Sequence, residues 1–228
     1  NSGNTSAIVK VNCILDTMPP AALTITPQIE GVTNTLKLSG IETGARWEYA
    51  LDHKGPWSPG TGIGLGTVGN GLASVWLRQV DVAGNPSEAQ VFDLRNQNMM
   101  AHEVSGIPLQ PSVLTQGFQT YLIHGVVVRG DADYVRWDIP KGQQLVSVKL
   151  SQYVSEDAIS FYALQANRVF DAGVDTSRML VYGHIGPGDL GRNIPKSQLG
   201  EGFMTLWFQQ TGTQSTQYAI EVVLGPTN

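Results

Sequence analysis

The chain contains a single cysteine, Cys13, in 228 residues. One cysteine cannot form an internal disulfide, and it cannot supply the several thiolates of a cysteine-based metal site. Cys13 lies in an alternating apolar pattern, so we expect it to pack in a core as a small apolar side chain. The low cysteine content alone does not separate a cytosolic protein from a surface protein that is stiffened in another way.

Charged residues are also scarce, at 14% of the chain, with 14 basic and 19 acidic residues and a formal net charge of −5. No cluster of lysine and arginine occurs, which excludes the basic stripe of a nucleic-acid-binding protein. No apolar run reaches the ~18 residues that a membrane-spanning helix needs, so we expect no membrane insertion.

Motifs of catalysis are absent as well. The four histidines are scattered without the spacing of a zinc site, and no Gly-x-Ser-x-Gly sequence occurs. We therefore expect no enzymatic activity. The chain starts at Asn1 without a signal peptide, which we interpret as the start of a piece excised from a longer protein.

Glycine and proline are frequent, with 26 and 12 residues, and they separate short stretches in which apolar and polar residues alternate. Such stretches predict β-strands, and no window has a sustained helical period. The pattern predicts an all-β fold with two β-sandwich domains in tandem. The clearest predicted strands are 46–51, 72–80, 89–94, 118–128, 133–139, 143–150, 158–164, 179–184, 202–209 and 217–224.

Two stretches divide the chain. Paired prolines at 19 and 20 cannot continue a β-ladder, so residues 1–18 are predicted to be the last strand and junction of a preceding module. Residues 96–104 are polar without a clear period and predict a linker. The first sandwich is then 19–95, and the second, the candidate ligand-binding domain, is 105–228.

Three phrases of the first region resemble the tandem Ig-like modules of very large, RTX-type bacterial surface adhesins. They are Trp-Glu-Tyr-Ala-Leu-Asp at 47–52, Trp-Ser-Pro-Gly-Thr-Gly at 57–62 and Val-Asp-Val-Ala-Gly-Asn-Pro-Ser at 80–87. The resemblance implies an Ig-like sandwich in a monomeric arm at the extracellular surface of a bacterium. It also implies that neighbouring modules of the same chain are partners and that calcium ions stiffen the junctions.

The second region is similar to the pre-peptidase C-terminal family. The similarity lies in the stretch 130–143, which reads Gly-Asp-Ala-Asp-Tyr-Val-Arg-Trp-Asp-Ile-Pro-Lys-Gly-Gln, and in Tyr-Ala-Ile-Glu-Val at 218–222. It implies a jelly-roll-like sandwich of the kind appended to secreted proteases and collagenases. Some of these modules bind calcium or polymeric ligands.

Calcium is the predicted cofactor. Asp16, Asp81 and Asn85 stand where the resemblance implies junction ligands, and Ca²⁺ takes about six to eight oxygens from carboxylates, amides and carbonyls. The alternative is that Asp81 and Asn85 shape a turn through their own backbone hydrogen bonds. Asp131 and Asp133 form a second acidic pair, for which a turn is also the competing interpretation.

Aromatic residues outside predicted core strands are the candidate ligand-binding residues. Trp57 lies in a loop rich in proline and glycine, and an aromatic face of this kind can stack on a pyranose ring. Tyr153 and Tyr182 are further candidates on the second sandwich. The predicted ligand is a cell-surface glycan or peptide.

The predicted function is therefore that of a non-enzymatic extension and ligand-binding segment of a calcium-dependent bacterial surface adhesin. Two alternatives remain: a region that targets a secreted hydrolase to its polymer, and a purely structural spacer. Flanking sequence would separate the first two, since tandem Ig-like repeats favour the adhesin and a catalytic domain favours the hydrolase. A spacer would gain stability from calcium without binding any ligand.

Overall fold

The computed structural model describes residues 15–95, 102–157, 159–171, 176–194 and 199–227. These residues form fifteen β-strands and two single-turn 3₁₀ helices, without an α-helix, which confirms the predicted all-β fold. No helix among them is long and apolar enough to cross a membrane. The predicted strand around Cys13 lies outside the described residues.

The strands of the first region are short, and those of the second region are longer. In chain order the first seven are β1 (Thr24–Glu30), β2 (Thr33–Ser39), β3 (Arg46–Ala50), β4 (Ser58–Pro59), β5 (Gly64–Val68), β6 (Ser74–Val80) and β7 (Gln90–Asp93). The others are β8 (Ser112–Val113), β9 (Thr120–Val127), β10 (Ala132–Ile139), β11 (Gln143–Val154), β12 (Ser160–Ala166), β13 (Val181–Ile185), β14 (Gly202–Gln210) and β15 (Thr216–Pro226). The 3₁₀ turns are Thr176–Arg178 and Pro187–Asp189.

The strands form three sheets. The central sheet has six strands in the order β1-β2-β5-β9-β15-β11, and it contains strands of both regions. A four-stranded sheet of the first region has the order β4-β3-β6-β7, and a five-stranded sheet of the second region has the order β13-β12-β14-β10-β8. β14 is the middle strand of its sheet, and a strand that is apolar on both faces, as this one is, suits a central position.

A parallel pair of strands joins the two regions within the central sheet. β5 pairs with β9 in a register that runs from Leu65 opposite Thr120 to Val68 opposite Ile123. The neighbouring pairs, β2 with β5 and β9 with β15, are antiparallel. The two predicted sandwiches therefore share one continuous sheet. The predicted boundaries at 95 and 105 stay a prediction, because residues 96–101 of the linker lie outside the described residues.

The two larger of the three hydrophobic clusters among the described residues lie on opposite faces of the central sheet. In β9, Tyr121 and Ile123 belong to the core under the five-stranded sheet, and Leu122 belongs to the core under the four-stranded sheet. In β15, Tyr218 and Ala219 divide in the same way. Successive side chains of a strand point to opposite faces, so each of these strands serves both cores.

Polar contacts reinforce the seam between the regions. The backbone N–H of Thr61 donates to Oγ1 of Thr120 at 2.8 Å, and the backbone N–H of Leu72 donates to Nδ1 of buried His124 at 3.2 Å. The backbone N–H of Thr115 donates to Oγ1 of Thr33 at 2.9 Å. These bonds hold the loops of each region to strands of the other.

Candidate binding crevice

A crevice lies at the seam between the two regions. It consists of two adjoining cavities of about 420 and 260 Å³, a size typical of small-ligand sites. One wall comes from the loop that joins β3 to β4, and the other comes from β11, β15 and the loop after Pro187–Asp189. We call it the seam crevice, and its lining residues are Tyr49, Ala50, Leu51, Asp52, Gly55, Pro56, Ser58, Pro59, Lys149, Leu150, Ser151, Gln152, Leu190, Gly191 and Glu221.

Glu221 provides a buried carboxylate in the wall of the crevice, since its side chain is only 6% exposed. Oε2 of Glu221 accepts a hydrogen bond from the Tyr49 hydroxyl, although the two residues are 172 positions apart in the chain. Nζ of Lys149 lies 3.8 Å from Oε1, and its side chain is 38% exposed. Lys149 and Glu221 are direct partners in the β11–β15 register, so both side chains lie on the same face of the sheet.

The Tyr49 hydroxyl acts as a fixed donor. Burial raises its pKa well above the ordinary value, the negative charge of Glu221 raises it further, and a hydrogen bond with Ser58 acts in the opposite direction. Tyr49 therefore keeps its proton at neutral pH. Together with Lys149, it compensates a carboxylate that would be costly to bury alone.

The mouth of the crevice combines apolar surface with small hydroxyl groups. Pro56, Pro59 and half-exposed Leu190 supply apolar area, and Ser58 and Ser151 supply hydroxyls. The crevice thus combines apolar surface with convergent polar groups, and both features occur in ligand-binding pockets.

The sequence did not single out this crevice. Its residues are far apart in the chain, and no local motif connects Tyr49, Lys149 and Glu221. One signal was present, because Glu221 interrupts an otherwise apolar strand from 218 to 224. A charged residue at a strand position that is apolar on both faces is a reason to look for a buried partner.

Trp57, the first predicted ligand-binding residue, lies next to the crevice but does not line it. The guanidinium of Arg78 lies 4.0 Å from the centre of the Trp57 ring, and Arg78 also donates to Oε2 of Glu48 at 2.8 Å. One face of the ring is therefore occupied by a cation–π contact. The binding role of Trp57 stays a prediction.

The two tyrosines occupy different environments. Tyr153 is buried in the core under the five-stranded sheet, where its hydroxyl lies 3.0 Å from Oγ of Ser160, so its role in this arrangement is packing. Tyr182 is half-exposed on β13, at the edge of the five-stranded sheet. Near it, Phe161 and Trp207 form an edge-to-face pair with ring centres 4.9 Å apart. Tyr182 stays a candidate for a surface contact.

Asp81 and Asn85 form a tight turn. The backbone N–H of Asn85 donates to Oδ1 of Asp81 and its side-chain amide donates to Oδ2, both at 2.8 Å. The hydrogen bond from the Asn85 side chain is the main cause of a lowered pKa of Asp81. The same amide donates to the backbone carbonyl of Asp16 at 3.1 Å, while the Asp16 carboxylate accepts from the backbone of Met18. Both carboxylates thus hold local turns.

The second acidic pair is separated by burial. Asp131 is half-buried and directly precedes β10, and Asp133 is buried with its Oδ2 accepting from the Tyr218 hydroxyl at 2.6 Å. Burial raises the pKa of Asp133 to about 7, the Tyr218 bond lowers it, and the charges of Asp131 and Glu103 raise it. Because burial disfavours the charged form of this carboxyl group, it also works against its use as a cation ligand.

The described residues do not fit a calcium site as they stand. Among them, no group of three or more His, Cys, Asp and Glu side chains could hold a metal ion. The Asp81 oxygens already accept two hydrogen bonds, and calcium needs about six to eight oxygens. Calcium binding stays a prediction, which a direct measurement can test.

The Asp81→Ala substitution distinguishes a role of Asp81 in the turn from a role as a calcium ligand. We expect the substitution to lower the melting temperature by a similar amount in EDTA and in millimolar calcium, because it removes the acceptor that fixes Asn85. Differential scanning calorimetry in the two buffers measures this. Asp52→Ala is the control, because it removes a comparable acceptor for the backbone N–H of Lys54 in an exposed turn. A loss confined to the calcium buffer would identify Asp81 as a calcium ligand.

Comparisons with known proteins found a structural similarity at low identity and a low TM-score. No protein-family model matches the chain, and no curated protein matches it. The chain is similar to the crystal structure of Salmonella Typhimurium PliG, a periplasmic lysozyme inhibitor of g-type lysozyme, with 17% identity and a TM-score of 0.27. The similarity covers 49% of this chain and 92% of the PliG chain. At this TM-score it carries no argument about function.

Proposed function

We propose that this chain is a non-enzymatic ligand-binding segment of an extracellular bacterial surface adhesin, and that it holds a glycan or peptide in the seam crevice. The observation that carries the proposal is the concave site around Glu221, whose carboxylate is buried yet borders a cavity of about 420 Å³. A buried charge in a cleft is a functional-site candidate because it is costly to maintain for packing alone.

The rigidity of the walls supports binding. β11 and β15 pair over most of their lengths, and β3, which leads into the β3–β4 loop, is tied to β15 by the bond from Tyr49 to Glu221. A site on paired strands loses little conformational entropy when a ligand binds. Tyr49, Glu221 and Ser151 already form hydrogen bonds within the fold, so these three polar groups are oriented before a ligand arrives.

The location at the bacterial surface and the calcium dependence rest on the resemblance to adhesin modules and on no contact in the fold. The crevice would serve the accessory region of a hydrolase equally well. The two functions differ in their ligands, because an adhesin binds a molecule of another cell and an accessory region binds the polymer that its enzyme cleaves.

Leu190→Asp tests the crevice directly. We expect it to weaken binding to any ligand found on glycan and peptide arrays at least about tenfold, because it replaces apolar area at the mouth with a charge that must be desolvated. Leu109→Asp is the matched control, since Leu109 is similarly exposed and lies outside the crevice.

Isothermal titration calorimetry with the whole chain gives the affinities. Equal binding by the Leu190→Asp variant and the unmodified protein would contradict the crevice as the binding site. A chain that binds nothing on either array would favour the structural spacer. Binding to an insoluble polysaccharide alone would favour the hydrolase accessory region.

A further inference from the structure

We infer that the ligand of the seam crevice is a neutral saccharide, which presents two adjacent hydroxyl groups to Lys149 and Glu221. This inference rests on the proposed function and specifies the ligand for the same site. It follows from the spacing, the charge and the unused hydrogen-bonding capacity of these two side chains.

The spacing allows a hydroxyl group to bridge Lys149 and Glu221 from the side, because an oxygen about 2.8 Å from both atoms lies off the line that joins them. Nζ of Lys149 and Oε1 of Glu221 are 3.8 Å apart, which is longer than the roughly 2.7–3.2 Å of a hydrogen bond. The two groups attract each other, but they do not satisfy each other. A hydroxyl that accepts from one and donates to the other can complete both.

The unused hydrogen-bonding capacity of Lys149 and Glu221 also favours a ligand with hydroxyl groups. A carboxylate offers about four lone-pair sites, and the Tyr49 hydroxyl occupies one of them on Oε2. The Lys149 ammonium carries three donors and projects from a partly exposed side chain. A pair of neighbouring hydroxyls matches this set, because one can accept from Lys149 while the other donates to Oε1 of Glu221.

The charge of the pair favours a neutral ligand. Lys149 and Glu221 sum to zero, so a ligand that carries a net charge gains at one group and is repelled by the other. Asp52, the third charged residue of the lining, is largely exposed, so solvent and salt screen its charge. A saccharide without charged substituents avoids this conflict. Desolvating its hydroxyls is repaid because the site supplies both donors and acceptors.

The remaining lining suits the body of a sugar ring. Pro56, Pro59 and Leu190 can contact the C–H groups of a pyranose. The Ser151 hydroxyl donates to the backbone carbonyl of Ala219 and can still accept from a hydroxyl of the ligand, and Ser58 lies on the opposite wall. A peptide would instead present a row of amide groups to a strand edge. β11 is the edge strand of the central sheet, but its outer edge is occupied at Val148 and Leu150, whose carbonyls accept from the backbone N–H groups of Ile194 and Gly191.

The test uses the whole chain on an array of neutral glycans, printed in duplicate, with one copy treated with periodate and then borohydride. Periodate cleaves the carbon–carbon bond between adjacent hydroxyl-bearing carbons, so we expect binding to disappear from the treated copy. We also expect Lys149→Met to lower the affinity for the untreated glycans at least about tenfold. Lys37→Met is the matched control, because Lys37 forms a similar pair with Glu30 at 3.7 Å on a strand of the same sheet.

Binding that survives periodate, or a Lys149→Met variant that binds as tightly as the Lys37→Met variant, would overturn the inference. So would the absence of any neutral glycan among the ligands. If Leu190→Asp still abolishes binding in these cases, the crevice remains the site and only the ligand class is wrong. If Leu190→Asp has no effect, the proposed function itself fails. Calorimetric unfolding of each variant confirms that it is folded.

Discussion

Gly69→Ala is expected to destabilise the whole fold by about 3 kcal/mol or more, or to prevent folding. A Cβ atom at this position would lie 1.5 Å from the backbone carbonyl oxygen of His124, which is a backbone atom of β9 and cannot move alone. Gly69 also has a φ of +120°, which other residues rarely adopt. The seam depends on this close approach of two backbones.

Gly117→Ala separates the cost of the positive φ from the cost of the steric clash. Gly117 has a φ of +103°, but a Cβ there meets nothing within 4 Å. The free energy of unfolding of this control variant should therefore fall only by the cost of the positive φ, about 1–2 kcal/mol. Urea unfolding of both variants gives the difference, which measures the clash at the seam. Equal losses would contradict the close packing of Gly69 against β9.

The second large effect concerns the dependence of stability on pH, to which two buried groups contribute with opposite signs. The folded pKa of Asp133 is about 7, above the ordinary value of 3.8, because burial disfavours its charged form. Asp133 therefore contributes stability that is fully present below pH 3.8 and is lost as the pH rises towards 7, by about 1.4 kcal/mol per pH unit at most.

His124 acts in the opposite direction. Burial lowers its pKa from 6.5 to about 3, because the protonated ring is disfavoured in the core. Its contribution is fully present above pH 6.5 and is lost as the pH falls towards 3. Between pH 4 and 6.5 the two slopes are of similar size and opposite sign, so the stability of the unmodified protein should change little.

Asp133→Asn should remove this compensation. The amide can still accept from the Tyr218 hydroxyl, but it does not titrate, so the variant should lose about 1.4 kcal/mol for each pH unit below 6.5. His124→Gln should show the reverse slope and gain stability on acidification over the same interval. Urea unfolding at pH 4, 5, 6 and 7 measures both profiles. An Asp133→Asn profile as flat as that of the unmodified protein would contradict the assignment.

Local patterns predicted most of the strands, because each strand carries its own alternation. The predicted strand 133–139 corresponds to β10 (Ala132–Ile139), and 202–209 corresponds to β14 (Gly202–Gln210). The alternation along β14 places Met204 and Leu206 on one face and Trp207 on the other, and these residues belong to separate clusters. Period two is a property of the strand itself and needs no knowledge of its neighbours.

The shared sheet could not be predicted in the same way. A hairpin leaves a turn signal between its strands, whereas the parallel pair of β5 and β9 is joined by a long excursion through β6, β7 and β8. The seam crevice depends on that pairing, because it brings the β3–β4 loop against β11 and β15. The prediction of two tandem sandwiches therefore contained the strands of the site but not their juxtaposition.

The acidic turn at 81–85 illustrates a different limit. Asp and Asn can each stabilise a turn or bind calcium, and the same local sequence is compatible with both roles. The hydrogen bonds in the fold use their atoms for the turn. Only the positions of further oxygens, which local sequence does not encode, could distinguish the two.

Because the two regions share the central sheet, they cannot be separated and recombined as independent domains. A fragment that begins after residue 104 would uncover Leu122 and Ala219, which now pack against the first region, and it would expose the unpaired edge of β9 to water. A loss of binding on such truncation would therefore reflect disruption of the fold. Transfer of the crevice to another protein would require both regions together.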